Sequence, residues 1–277
     1  MIKNIEAFAA DIDMTLTAKG GALPEIVKEA LTELHRRNIP LGLATGREIV
    51  DKLKHIGTVD WGLDFEFDFI IGMNGGMIYD TKTDSLWSMD LMSREDMKEI
   101  LTYMKPLIDK YSISVNAEGG GNHNAMNIHN ELMESMRRHG WVFIDKTDDI
   151  DGFCELPAYK MLFRTDPAYD KEIRETFLSR FGDNWQIIGT FPGTLEIMQK
   201  GIDKGSGMAR YAKEHNINME NVIAFGDNEN DNSLLIDCGW GVCLANGSDG
   251  TKAVADDITE YPCDQGGVGR YLFEHCL

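Results

Sequence analysis

Cysteine is scarce in this chain of 277 residues. The five present, Cys154, Cys238, Cys243, Cys263 and Cys276, are odd in number, widely scattered and never in a C-x-x-C pair. That usage argues against a disulfide framework and a structural zinc site, and it fits a reducing cytoplasm. Long apolar runs are missing too. No stretch approaches the roughly 18 residues of a membrane span. Met1-Ile2-Lys3-Asn4-Ile5-Glu6 opens no apolar segment before a small-residue cleavage site, so no signal peptide is expected. Positive charge is in short supply, with 27 Lys and Arg against 46 Asp and Glu and a net charge of −19. Such a surface repels nucleic acid and anionic membranes, and neither is expected as a partner. It also repels a phosphorylated substrate at long range, so an enzyme for one needs a metal and a few basic groups as local compensation. Internal repeats and low-complexity segments are absent.

What remains is a globular composition, 43% hydrophobic and 26% charged, long enough for one large domain or two ordinary ones. Residues 5–10 form a short apolar run that reads as a buried parallel strand. It leads into Asp11-Ile12-Asp13-Met14-Thr15, two carboxylates two residues apart. Alone, this pair reads equally as a strand-end turn capping local backbone or as a cation site at the carboxyl end of a strand. Residues 24–38 carry one apolar stripe (Ile26, Val27, Ala30, Leu31, Leu34) and read as a helix after the Lys19-Gly20-Gly21 break. Residues 39–44 are a second strand ending in Thr45-Gly46-Arg47, where the next helix is expected to begin. Residues 67–72 are a third, ending in Met73-Asn74-Gly75-Gly76. Strands alternating with helices imply a parallel sheet.

From about residue 81 the character changes. Residues 86–91 are strand-like, Ser93 followed by Asp96 resembles a capping box, and a helix is expected to about Lys110. Strands at 113–116, 159–164, 185–189 and 195–199 and helices at 129–139 and 169–180 surround a glycine-rich loop, residues 118–124. Residues 81–200 therefore read as a separate α/β module inserted between 1–80 and 201–277. The first pattern then resumes. A helix opens at Lys204, and the strand 221–225 runs into Gly226-Asp227-Asn228-Glu229-Asn230-Asp231. A helix at 233–238, a strand at 241–244 and a helix at 252–255 follow.

Carboxylates, a hydroxyl and a lysine converging on one rim of a parallel sheet suit phosphoryl chemistry. Carboxylate oxygens suit Mg2+, the lysine and hydroxyl suit phosphate oxygens, and a carboxylate can itself be the nucleophile. D-I-D-M-T-L-T, A-T-G-R, K-G and G-D-N-E-N-D, in that order, resemble the haloacid dehalogenase-like hydrolase superfamily over nearly the whole chain. Asn74-Gly75-Gly76, Ile202-Asp203-Lys204-Gly205 and Ala245-Asn246-Gly247 resemble its Cof-like sugar-phosphatase branch, which carries a C2B-type α/β cap. The resemblance implies a Rossmann-like core with an inserted cap, and a Mg2+-dependent phosphatase acting on a small phosphorylated metabolite. It implies Asp11 as nucleophile and Asp13 as general acid and base. An Asp11 oxygen, the Asp13 carbonyl and Asp227 would hold the metal, supported by Asp231. Thr45, Gly46, Lys204 and Asn230 would hold phosphate, with Asn74 and Arg47 in support. Met14 departs from the glycine common at that position, which bears on fine geometry.

Each residue also has a plain structural use. Thr45, Asn230 and Asp231 would serve as helix caps, Lys204 as a solvated lysine, and Asn74 as a turn residue. Arg47 reads equally as reaching substrate or pairing with a surface acid. His123 reads as solvated, and the fifteen methionines as core filler. Two other functions share the motifs: a phosphosugar mutase using the same aspartyl-phosphate, and a non-catalytic metabolite-binding module.

Overall fold

The structure, a computed structural model, describes residues 4–18, 21–89, 91–129, 131–138 and 141–277. Met1-Ile2-Lys3, Lys19 and Gly20 of the expected break, Asp90 and the helix end at His139 lie outside the described residues. In chain order the strands are β1 (Ala7–Ala10), β2 (Leu41–Ala44), β3 (Phe69–Gly72), β4 (Met77–Asp80), β5 (Ser85–Ser88), β6 (Ser114–Glu118), β7 (Asn124–Met126), β8 (Ile144–Asp145), β9 (Lys160–Arg164), β10 (Trp185–Phe191), β11 (Thr194–Gln199), β12 (Val222–Gly226), β13 (Trp240–Cys243) and β14 (Asp257–Ile258). The α-helices are α1 (Glu25–Arg36), α2 (Asp51–Lys54), α3 (Arg94–Lys110), α4 (Glu131–Arg138), α5 (Ile150–Phe153), α6 (Asp170–Phe181), α7 (Lys204–His215), α8 (Asn232–Asp237), α9 (Asp249–Lys252) and α10 (Gly267–His275). Two compact units divide the chain: Met1–Met89 with Ile202–Leu277, and Asp90–Gly201.

The first unit is built on a sheet in the order β14-β13-β12-β1-β2-β3-β4-β5. It is parallel from β14 to β3, and β4 and β5 add antiparallel strands at one edge. The central strand β1 is wholly buried, which explains its unbroken apolar run. Ala7 and Ala9 face a core shared with Met208, Tyr211 and Ala212 of α7 and Leu234 and Leu235 of α8. Phe8 stacks toward Phe225, which meets Tyr271 of α10 edge-on on the other face. The chain leaves β1 for β2 on one side and returns to it as β12 on the other. The carboxyl ends of β1 and β12 therefore flank a topological switch point, where open α/β sheets bind ligands.

Three expectations change here. The strand expected at 86–91 is β5, and its pairing with β4 makes it part of this sheet, so the unit runs to Met89 and not to residue 80. Thr45 does not open a helix. The Thr45 carbonyl accepts from the Asn74 N–H (3.0 Å) and the Arg47 carbonyl from the Met73 N–H (2.9 Å). Those carbonyls are thus committed across the sheet rim, and the helix waits until Asp51. The helix expected at 252–255 is set earlier, at Asp249–Lys252, because Ser248 caps it through the Thr251 N–H.

The second unit has a sheet in the order β10-β11-β9-β6-β7-β8. All its pairs are antiparallel except β7 with β8. α3, capped by Ser93, and α6 cover one face. Met97, Met104, Phe177 and Phe181 pack there on Val115, Met161, Phe163 and Ile197, so several methionines are core filler as expected.

Candidate active site

Asp11 follows the last residue of β1, and its N–H donates to the Phe225 carbonyl of β12 (3.0 Å). The chain then turns sharply, with Leu16 and Thr17 both returning N–H bonds to the Ile12 carbonyl and Met14 at φ 68°. That left-handed conformation is costly for a β-carbon, and it accounts for the glycine usual in this motif. Here Asn246 holds the turn: its Nδ2 donates to the Met14 carbonyl (2.8 Å), and its Oδ1 accepts from the Cys263 N–H (2.8 Å). Thr15 Oγ1 donates to Asp227 Oδ1 (2.9 Å), tying the first acidic turn to the one after β12.

Lys204 stands at the start of α7. Asp203 caps that helix through the Ser206 N–H (2.8 Å), and Ser206 Oγ accepts from the Asp203 N–H (3.0 Å). Gly75, at φ 102°, lies so close to this start that a β-carbon there would sit 2.1 Å from the Asp203 carbonyl oxygen. Lys204 is fully buried, and its Nζ reaches Asp11 Oδ1 at 2.7 Å and Asp231 Oδ1 at 2.5 Å. It is not a solvated lysine. The second oxygen of Asp231 accepts the N–H groups of Asp227 (2.9 Å) and Asn228 (3.1 Å).

The remaining expected residues form the neighbouring rim. Thr45 is buried, with its Oγ1 accepting from the Arg47 N–H (3.3 Å) and half-exposed Gly46 between them. Arg47 grips Asp13 with two bonds, Nε to Oδ2 (2.9 Å) and Nη2 to Oδ1 (2.6 Å). Asn74 is buried at φ 49°, and its Oδ1 accepts from Asn230 Nδ2 (3.1 Å). Asn230 thus holds the rim of the site together. Asn246 had no assigned role in the sequence. The signal was present in a non-glycine at the strained position 14, which needs an external hold.

The electrostatics are unbalanced. Asp11, Asp227 and Asp231 offer oxygens all within 4.8 Å of one another, against one buried lysine. Burial, opposed by Lys204 and reinforced by Asp231 and Asp227, pushes Asp11 up to about 8. Burial and then Asp231 push Asp227 up to about 7, against the Thr15 hydrogen bond. For Lys204, burial disfavours the charge, but Asp11 and Asp231 more than reverse this and raise its pKa. Such a set fits a hard divalent cation, because oxygens are its preferred ligands and the anionic excess needs a counter-charge. Asp231 has its oxygens engaged by Lys204 and two backbone N–H groups, and Asp13 has its carboxylate engaged by Arg47. The side chains best suited to a cation are therefore Asp11 and Asp227.

The family model of the haloacid dehalogenase-like hydrolases matches residues 8–272, and the chain belongs to that family. It is 22% identical over 296 residues to phosphatase YwpJ of Bacillus subtilis, covering 99% of this chain and 100% of that one. It is 25% identical over 275 residues to the HMP-PP phosphatase of Cronobacter sakazakii, covering 95% and 93% respectively. Its fold matches that of BT4131, a subclass IIB sugar phosphatase of the same superfamily, with a TM-score of 0.80, 20% identity, and 97% and 98% coverage. The chain is accordingly a haloacid dehalogenase-like hydrolase in its fold. Among the described residues no helix is long and apolar enough to cross a membrane.

Proposed function

We propose that this protein is a Mg2+-dependent phosphatase that hydrolyses small phosphomonoesters, sugar phosphates foremost, through an aspartyl-phosphate on Asp11. The observation that carries this reading is the fully buried Lys204 holding Asp11 and Asp231 beside Asp227 at the switch point. Its relatives named as phosphatases, one for HMP-PP, support the reaction class.

An Asp11 oxygen attacks phosphorus, and the ester P–O bond breaks. Asp13 gives its proton to the departing alkoxide. It then takes a proton from the water that attacks the aspartyl-phosphate, and the P–O bond to Asp11 breaks to return the free carboxylate and phosphate. Arg47 orients Asp13, and must loosen its two-pronged hold when Asp13 carries a proton. Thr45, Gly46 and Lys204 receive the phosphoryl oxygens, Asn230 and Asn74 brace that rim, and Asp231 fixes Lys204. Asp11, Asp227 and the Asp13 carbonyl would hold Mg2+, which would supply neutralising charge for the transferring group. Residues 90–201 act as the cap that chooses the alcohol part of the substrate. The free cysteines support a cytoplasmic setting.

The test is phosphate release from a panel of phosphorylated metabolites and a generic aryl phosphate, with and without Mg2+. Release that requires Mg2+ supports the reading. No release from any compound contradicts it, and phosphoryl exchange between sugar positions without net release would make the protein a mutase.

A further inference from the structure

The loop that follows β13, residues 244–248, runs beside the acidic turn after β12. The Leu244 N–H donates to the Gly226 carbonyl (3.0 Å) and the Ser248 N–H to the Asp227 carbonyl (2.8 Å). Between them Gly247 is buried, and a β-carbon there would sit 2.4 Å from Cys243 Sγ and 3.0 Å from the Asp227 carbonyl oxygen. A side chain would force the loop away, so glycine lets it press against the backbone of Asp227. Asp227 is one of the two side chains best suited to a cation.

The same loop carries Asn246, and both ends of its amide are committed. Nδ2 donates to the Met14 carbonyl (2.8 Å), and Oδ1 accepts from the Cys263 N–H (2.8 Å). On its other side Met14 donates its N–H to the Thr17 carbonyl (2.7 Å). That N–H and the Asp13 carbonyl belong to one planar peptide unit and point in opposite directions. The Met14 carbonyl belongs to the next unit. Both peptide units of Met14 are therefore pinned, one by Thr17 and one by Asn246, at a φ of 68° that a residue with a β-carbon resists. Such strain persists only where the surroundings over-determine it. Without Asn246 the turn is free to relax, and the Asp13 carbonyl swings with it.

We propose that Asn246 is a positioning residue for the cation. By fixing Met14 it holds the Asp13 carbonyl in register with Asp227, whose backbone the same loop grips. One loop thereby sets the spacing of ligands drawn from two strands. The inference rests on the Mg2+ of the proposed function and deepens that reading. Groups that orient a metal ligand commonly carry about 10–100-fold of the metal's affinity. A purely structural brace would lower stability and leave that affinity alone.

The test is calorimetric titration of MgCl2 into the full chain after treatment with chelator. It compares wild type, Asn246→Ala, Met14→Gly, the double variant and Trp240→Phe. The last loses the bond from Trp240 Nε1 to the Tyr271 hydroxyl (2.8 Å) at the far end of β13, and controls for stability alone. The Mg2+ dissociation constant should rise tenfold or more in Asn246→Ala and stay within twofold of wild type in Met14→Gly and Trp240→Phe. The double variant, freed of the strain, should recover threefold or more of the loss. Should Asn246→Ala alone prove too unstable to titrate, the double variant is compared with Met14→Gly, and a threefold rise is expected. Affinity unchanged by loss of Asn246, no recovery in the double variant, an equal loss in Trp240→Phe, or a wild type that takes up no Mg2+ overturns the proposal. If wild type binds Mg2+ and Asn246→Ala loses it, yet neither releases phosphate from any compound, the positioning role stands and the phosphatase reading falls. If wild type hydrolyses aryl phosphate with Mg2+ and Asn246→Ala binds Mg2+ equally well, the positioning role falls and the phosphatase stands.

Discussion

The two units each bury a cluster of charges, and the clusters are built on opposite plans. In the first unit Asp11 and Asp231 share the buried Lys204 with Asp227 close by, and the three carboxylates keep an anionic excess. In the inserted unit Lys160 and Arg164 face Glu118 and Glu196, and the charges cancel. An excess marks a place for a cation and for charge moving during a reaction. A balanced network leaves no such excess for a cation to meet.

The largest expected effect falls on the anionic cluster. Asp11→Asn should lower phosphate release by about a thousandfold or more, as loss of a nucleophile does. Its melting temperature should be unchanged or higher, because a buried carboxylate is removed. A variant with near-normal turnover would end the mechanism assigned to Asp11.

Replacing the lysine of each cluster sharpens the contrast. Lys204→Met and Lys160→Met should each cost about 3–5 kcal/mol, the usual penalty for stripping a buried ion network of one partner. Added Mg2+ should recover part of the loss in Lys204→Met and none in Lys160→Met. Equal recovery in both, read by chemical denaturation, would erase the distinction between the clusters.

A smaller effect lies in the pH dependence. Asp11 and Asp227 are pushed up to about 8 and about 7 in the folded chain, against the ordinary aspartate value of 3.8. Between these values the folded state binds more protons than the unfolded one, so stability falls as pH rises. In chelator the protein should therefore lose stability from about pH 4 up to pH 8, and Mg2+ should flatten that slope by favouring the carboxylates. Melting curves across this range, with and without Mg2+, provide the check. A metal-free protein that gains stability over the same window would contradict the assigned shifts.

The smallest effect is at the strained turn. Asn246→Ala removes the hydrogen bonds to Met14 and Cys263. It should cost about 1–2 kcal/mol and lower turnover severalfold, while Met14→Gly, which relieves the positive φ, should restore part of both.

The contrast also explains what could be read from the sequence. Asp11, Asp13, Asp227 and Asp231 stand at strand ends, where a polar residue after an apolar run is conspicuous, and their order along the chain carries the family resemblance. The central strands and α1 were legible for the same reason, as runs and stripes of buried residues. The inserted cluster was not. Asn116, Glu118, Lys160, Arg164 and Glu196 lie within strands at alternate positions, a pattern shared by any half-exposed sheet. Their burial and pairing arise only when β9 is laid between β6 and β11. The loop after Thr45 is not legible in the sequence because its carbonyls bond to the turn at Met73 and Asn74, residues nearly thirty positions away. The Arg47–Asp13 pair is equally illegible, since nothing local says which acid an arginine will find.

Under the proposed mechanism every phosphoryl group passes through Asp11. The direct measurement is to quench the enzyme with acid during turnover of a good substrate with Mg2+, reduce it with borohydride, and locate the modified residue by peptide mass spectrometry. Reduction of an acyl-phosphate converts the aspartate to homoserine. Homoserine is expected at position 11 in the turning-over enzyme and nowhere without substrate. Sustained phosphate release with Asp11 unmodified at every quench time, or with the mark on another residue, would contradict it.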